Sequence, residues 1–210
     1  MAGAEPSYSP PAQAVPAQVQ APKTSPDTKK SGVKFPEQLL KSNTKNPEAV
    51  RKEVLEDLYG RLSGAGDEES AKLIAEAIEK IWMRSGSDTV DLLMQRSTQM
   101  VQDEELDTAL DILDSVVAIA PDYAEGWNQR ATVFFIRRDY RRSLDDLRHV
   151  LALEPRHFKA ISGLGLIMQE FGDKEAALKA FRKALEIYPQ LTNTQQLEHE
   201  LARDVEGQGI

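Results

Sequence analysis

The sequence predicts an all-α repeat fold, a stack of helix hairpins. Two observations carry that prediction. Pro121, Pro155 and Pro189 are each 34 residues apart. The stretch leading into each proline also repeats one order of large and small residues. In the first unit the slots hold Leu93, Ser97, Met100, Ala109, Leu113 and Val116. In the second they hold Trp127, Ala131, Phe134, Ser143, Leu147 and Val150, and in the third Ile161, Gly165, Met168, Ala177, Phe181 and Ala184. A fixed period of this length marks a repeat architecture.

Each unit contains two apolar runs spaced by three and four residues, so each reads as a pair of amphipathic helices. Ser97, Ala131 and Gly165 let one helix approach its partner, and Ala109, Ser143 and Ala177 do the same from the other side. The large residues fill the remaining space. Proline closes each unit because it lacks an N–H and its ring strikes the preceding turn, at a cost of about 3 kcal/mol inside a helix. Asp122 with Glu125 reads as a capping box opening the second unit. Gly172-Asp173 reads as a C-cap glycine followed by the N-cap of the next helix. The expected helices run near 88–102, 105–119, 122–137, 140–153, 157–171 and 174–187.

Residues 90–189 resemble three tandem tetratricopeptide repeats (TPRs) of bacterial type. The third repeat keeps the family pattern best, at Leu164, Gly165, Ala177, Phe181, Ala184 and Pro189, and Trp127 matches the signature tryptophan in the second. The first two repeats depart from the pattern at the turn between helices, with Glu104 and Arg138 where the family often has glycine. The resemblance implies a right-handed α-solenoid of three hairpins, at about 90–123, 124–157 and 158–191. Its concave wall would be lined by the first helix of each repeat. Carried over residue by residue, the peptide-binding groove is Met94, Gln95, Thr98, Asn128, Gln129, Thr132, Phe135, Lys159, Ser162, Leu166 and Gln169. Amides would bind a partner's backbone, with Phe135 and Leu166 holding its apolar side chains. Chaperone-type repeats grip a terminal carboxylate. Of the corresponding places here, Met94, Thr98, Gln129, Lys159 and Gly163, only Lys159 matches, so that clamp is not expected.

The flanks follow from composition. Residues 1–36 hold seven of the eleven prolines, among Ala, Gln, Ser and Lys. Such a stretch buries too little apolar surface to offset its ordering entropy, so 1–44 is expected to be a disordered tether. Asn46-Pro47-Glu48 is a helix start. It opens a helix carrying Val50, Val54, Leu55, Leu58 and Leu62, which ends near Gly64-Ala65-Gly66. A second helix from Asp67 to about Arg84 carries Ala71, Ile74, Ala75, Ile78, Ile81 and Trp82. This 45–86 hairpin is expected to be a degenerate repeat capping the stack, with a dimerising face as the alternative. The repeats occupy 87–190. Leu197 and Leu201, four apart in a polar run, predict a solvent-capping helix within 191–210, with a frayed end.

The whole chain has 210 residues and a formal charge of −8, which argues against nucleic-acid binding. It has no cysteine, which excludes disulfides and thiolate metal sites. No run approaches the roughly 20 apolar residues that span a bilayer. Met1 to Gln20 has no basic residue and no apolar core, so it is not an intact leader. A periplasmic place after leader removal and a cytoplasmic place both stay open.

Catalytic chemistry finds no foothold. His149, His157 and His199 show no metal spacing, and no phosphate loop, nucleophile elbow or zinc motif occurs. No catalytic residue, metal or cofactor is expected. Gly163 reads as a packing site, and Asp145-Asp146 as a solvated ion-pair face among arginines. One local feature stands out. Arg130, Arg137, Arg138, Arg141, Arg142, Arg148, Arg156 and Lys159 outnumber five acids between Glu125 and Lys159. An acidic partner segment, or an anionic lipid or polysaccharide surface, is the functional reading. The expectation is a non-enzymatic protein-binding or scaffolding module that takes a peptide or helix of a partner of unknown identity. By resemblance it serves cell-envelope or assembly processes. The alternative is a homo-oligomer formed through the 45–86 hairpin.

Overall fold

A computed structural model of the chain describes residues 46–207. The expected tether over 1–44 and the last three residues of the expected frayed end lie outside the described residues. Nine helices follow one another with no strand among the described residues: α1 Pro47–Ser63, α2 Glu68–Trp82, α3 Asp88–Gln102, α4 Leu106–Ile119, α5 Ala124–Ile136, α6 Tyr140–Leu153, α7 Phe158–Glu170, α8 Lys174–Ile187 and α9 Thr192–Glu206. The hairpins α3–α4, α5–α6 and α7–α8 are the three repeats.

The slot residues explain the packing. Ser97, Ala109, Ala131, Ser143 and Ala177 are all buried, and Gly165 lies against the ring of Phe181. The buried hydroxyls find partners. Ser143 Oγ donates to the Ala131 carbonyl (2.7 Å) and Ser97 Oγ to the Met94 carbonyl (2.8 Å), so these small polar residues cost little in a close helix contact. Trp127 is half-buried, with its Nε1–H on the Pro121 carbonyl. Pro121 and Pro155 are exposed and Pro189 is half-buried, as suits residues whose task is to stop a helix.

The three turns between paired helices share one geometry. The amides of Glu104 and Glu105 return to Val101 and Met100, those of Arg138 and Asp139 to Phe135 and Phe134, and those of Gly172 and Asp173 to Gln169 and Met168. This is the Schellman closure. It requires a left-handed residue, and Glu104 (φ 62°), Arg138 (φ 60°) and Gly172 (φ 79°) supply it. Asp173 and Asp139 then cap the following helices. At the start of α5 the structure differs from expectation. The helix begins at Ala124 behind Tyr123, with no side-chain cap. Glu125 is drawn away from a capping box because its carboxylate receives Asn128 and His157.

A contact between side chains 32 residues apart ties each hairpin to the next: Ser97 to Gln129, Glu125 to His157, and Ser162 to Thr194. The last of these seats α9 on α7 as if it opened a fourth repeat. Leu201 is buried against Leu178 and Phe181, with Leu197 beside it, so α9 seals the stack as a capping helix does.

The α1–α2 hairpin does not cap the first repeat. Its apolar side, Leu55, Leu58, Tyr59, Leu62, Ile74, Ile78 and Trp82, forms one core with Phe158, Ile161, Ala184, Ile187 and Tyr188 of the third. The hairpin lies along the edge made by the inter-repeat loops. Tyr123 Oη donates to the Met83 carbonyl, Arg51 pairs with Glu154, Arg156 with Glu56, and Gln190 donates to the Ala65 carbonyl. The reason is compositional. The outward side of α3 offers Gln95, Arg96 and Gln99 with a single exposed apolar residue, Leu92, whereas the loop edge offers Phe158, Ile187 and Tyr188 together. Apolar area goes where it can be removed from water.

Candidate peptide-binding groove

The first helices α3, α5 and α7 form one wall, and the structure sorts the expected groove residues along it. Asn128, Thr132 and Phe135 of α5 meet Lys159 and Leu166 of α7 around one hollow, with Ala131, Ser143, Leu147 and Gly163 as its floor. Gly163 matters here because it adds no side chain, and its Cα faces the Leu147 methyl across the floor. Phe135 and Leu166 are half-buried, leaving apolar surface for an incoming side chain. Asn128 is buried, its amide held on the Glu125 carboxylate (3.1 Å). Thr132 turns its hydroxyl back to the Asn128 carbonyl and lines the hollow.

Other expected groove residues lie elsewhere. Met94 is 3% exposed and belongs to the core of the first repeat; an unbranched thioether fills an irregular gap there. Ser162 is covered by α9 through its bond to Thr194. The Gln129 amide meets the Ser97 hydroxyl at 3.1 Å and joins two repeats. Gln95 is exposed and does not line the hollow. Thr98, half-buried, bonds the Met94 carbonyl, and Gln169 is exposed at the far end of α7. The usable hollow is therefore shorter than expected and centred on repeats two and three.

Lys159 is neutralised within the chain. Its ammonium lies 2.7 Å from Glu79 of α2, so the one residue that matched a carboxylate clamp is already engaged. Residue-by-residue carry-over cannot anticipate this, since the partner comes from outside the repeats.

The basic stretch is also mostly spoken for. Arg130 forks onto Asp146 (2.8 and 2.7 Å) and reaches Asp114 (2.7 Å). Asp146 is 3% exposed, so the expected solvated face is in part a buried ion pair. Hydrogen bonds to the Asp146 carboxylate hold the Arg130 guanidinium above its ordinary pKa. Arg130 also lies over Trp127, which stacks on His149, and Arg142 lies over Phe134. Arg137 pairs with Asp107, Arg142 with Asp139 and Arg148 with Asp145. His157 is fully buried. Its Nδ1 accepts the Ala160 amide, so Nε2 carries the proton and donates to Glu125 (3.1 Å). No group of three or more His, Asp or Glu side chains placed to hold a metal occurs among the described residues. No described helix is long and apolar enough to cross a membrane.

Stacked helix hairpins of this kind define an α-helical repeat solenoid. No family model matches the sequence. Over 163 residues the chain is 39% identical to a TPR repeat-containing protein of Rhizobium etli, covering 78% of this chain and 80% of that one. The chain belongs to the tetratricopeptide-repeat proteins, a family of protein-interaction modules. Its fold is shared with the first TPR domain of Spaghetti, solved bound to an HSP90 peptide (TM-score 0.54, 18% identity, 56% of this chain and 93% of that one). It is shared also with MamA (TM-score 0.52, 19% identity, 77% and 84%).

Proposed function

We propose that this chain is a non-enzymatic recognition module that takes a short peptide or helix of a partner protein into the hollow between α5 and α7. The observation that carries this is the meeting of Thr132, Phe135 and Leu166 around a floor of Ala131, Leu147 and Gly163. An apolar floor under a few polar groups suits a side chain anchored by burial and a backbone fixed by hydrogen bonds. The peptide held by the Spaghetti domain supports the reading by analogy of fold. The mode differs from a terminal-carboxylate clamp, because Lys159 is paired with Glu79. Oligomerisation through α1–α2 is disfavoured, since the apolar side of that hairpin is buried within the chain.

The test is a displayed peptide library selected on the full chain. Selected peptides are expected to lose binding to Thr132→Arg, which fills the hollow, and to Leu166→Glu, which charges it. Helical circular dichroism confirms that both variants keep the fold, a control needed because Leu166 also packs on the core beneath α9. Selected peptides that bind both variants as well as the parent chain would place recognition elsewhere.

A further inference from the structure

Six of the eight cations between Glu125 and Lys159 are paired: Arg130, Arg137, Arg142, Arg148, Arg156 and Lys159. Arg138 and Arg141 are exposed and make no ion pair among the described residues. Both flank Tyr140, at the turn that joins α5 to α6. Arg138 holds the left-handed backbone of the turn, and Arg141 follows Tyr140 in the first turn of α6.

The same turn carries an aromatic path. Phe135 lines the hollow. Its ring meets Tyr140 at 5.4 Å, and Tyr140 meets Phe171 edge-on at 6.1 Å. Phe171 is 50% exposed, a large apolar ring left in water at the rim. The path thus runs from the hollow to solvent, beside a turn that carries two unpaired arginines. The acids of this rim are Asp139, which is paired with Arg142, and Glu170, which is exposed beside Phe171.

We infer that this rim is the reading edge of the groove, and that it selects a partner segment in which a bulky apolar residue is flanked by carboxylates. The inference rests on the peptide-binding reading above and names its partner class. The apolar residue covers Phe171 and Tyr140, and the flanking acids meet Arg138 and Arg141. Two free cations are too few for a nucleic acid or a membrane, where roughly four to ten basic contacts are the rule. The chain's own first 45 residues are the wrong sign, with six lysines against three acids. The complement is therefore an acidic segment of another protein, oriented by the charges and held by the rings.

The test is fluorescence anisotropy on the full chain with three labelled nonapeptides: one phenylalanine among glutamates, the same phenylalanine among lysines, and serine among glutamates. The first is expected to bind about tenfold tighter than either other. The double variant Arg138→Gly/Arg141→Ala should weaken it about five- to tenfold, and Phe171→Ser about tenfold. The double variant folds at least as well as the parent, because glycine relaxes the left-handed turn at residue 138. Equal binding of the glutamate and lysine peptides, or binding indifferent to the double variant, overturns the inference. If Thr132→Arg abolishes binding of the library-selected peptides while the rim variants leave it intact, the groove stands and the rim falls. If those peptides ignore Thr132→Arg as well, both readings fall.

Discussion

The indole of Trp82 lies flat on the imidazole of His157, with ring centroids 3.9 Å apart and planes within 10°. Trp82 ends the first hairpin and His157 opens the third repeat, so this stack closes the molecule on itself. In an ordinary solenoid each repeat touches only its neighbours, and the ends unfold separately. Here α1–α2 spans the inter-repeat loops and removes that freedom. Truncating Trp82 to alanine is expected to cost about 3–5 kcal/mol and to lower the stability of the whole stack. Trp127 then remains as the only tryptophan. Urea unfolding followed by its fluorescence and by helical circular dichroism checks this. The two probes should shift together, and a repeat-two transition that stays at the parent midpoint would show that the strap is dispensable.

The second prediction concerns the tightest slot. A Cβ on Gly165 would stand 2.5 Å from Cε1 and 2.6 Å from Cδ1 of Phe181. That ring is fully buried and has nowhere to move. Replacing glycine by alanine in a helix gains up to about 1 kcal/mol in propensity, but overpacking a filled core costs about 1–3 kcal/mol, so Gly165→Ala should destabilise. Gly165→Leu should be worse. Phe181→Leu frees the space. The double variant Gly165→Ala/Phe181→Leu should therefore lose less than the sum of its single changes in thermal melts, because the residues touch.

Most of the stack was legible because it rests on local rules. Period, slot size and terminating proline each depend on residues within one hairpin, and Ser97, Ala109, Ala131 and Ala177 are buried as their size requires. What was not legible is long-range. Nothing local to Trp82 says that it meets His157, and nothing local to Lys159 says that Glu79 neutralises it. Asp146 reads as a surface acid until Arg130, on the facing helix, is seen to fork onto it. The expected groove residues divide in the same way. Thr132, Phe135 and Leu166 meet, whereas Met94 and Ser162 are covered by core and by α9, which family positions alone do not reveal.

The third prediction follows from the turns. Glu104 and Arg138 hold the left-handed conformation that Gly172 holds in the third repeat. A residue with a Cβ pays roughly 1–2 kcal/mol there, partly offset because glycine gives more freedom to the unfolded chain. Glu104→Gly is therefore expected to raise stability by about 0.5–1 kcal/mol and Arg138→Gly by a similar amount. Gly172→Ala should lower it by about 1 kcal/mol, although no atom stands within 4 Å of the new methyl. The strain is in the backbone alone. Urea midpoints of the three variants decide it, and a stabilised Gly172→Ala would contradict the shared turn geometry.

The last prediction is an alkaline limit. Burial pushes the Tyr59 and Tyr123 phenols well above their ordinary pKa, with Glu154 adding to the effect at Tyr59, and Glu125 and Asp91 at Tyr123. In the unfolded chain a tyrosine releases its proton near pH 10 (about 10). Above that pH the unfolded state holds fewer protons than the folded one, so stability falls as pH rises; below it, the contribution is fully present. Both residues fasten the strap, Tyr59 in its core and Tyr123 through the Met83 carbonyl. Phenolate absorbance of these two should therefore appear together with loss of helical signal. Tyr59→Phe should flatten the alkaline limb of the stability curve. Tyr123→Phe should do the same while losing about 1 kcal/mol at neutral pH, the net worth of its hydrogen bond. If every tyrosine ionises in one step near pH 10 with the helices intact, the phenols are not held as the structure places them.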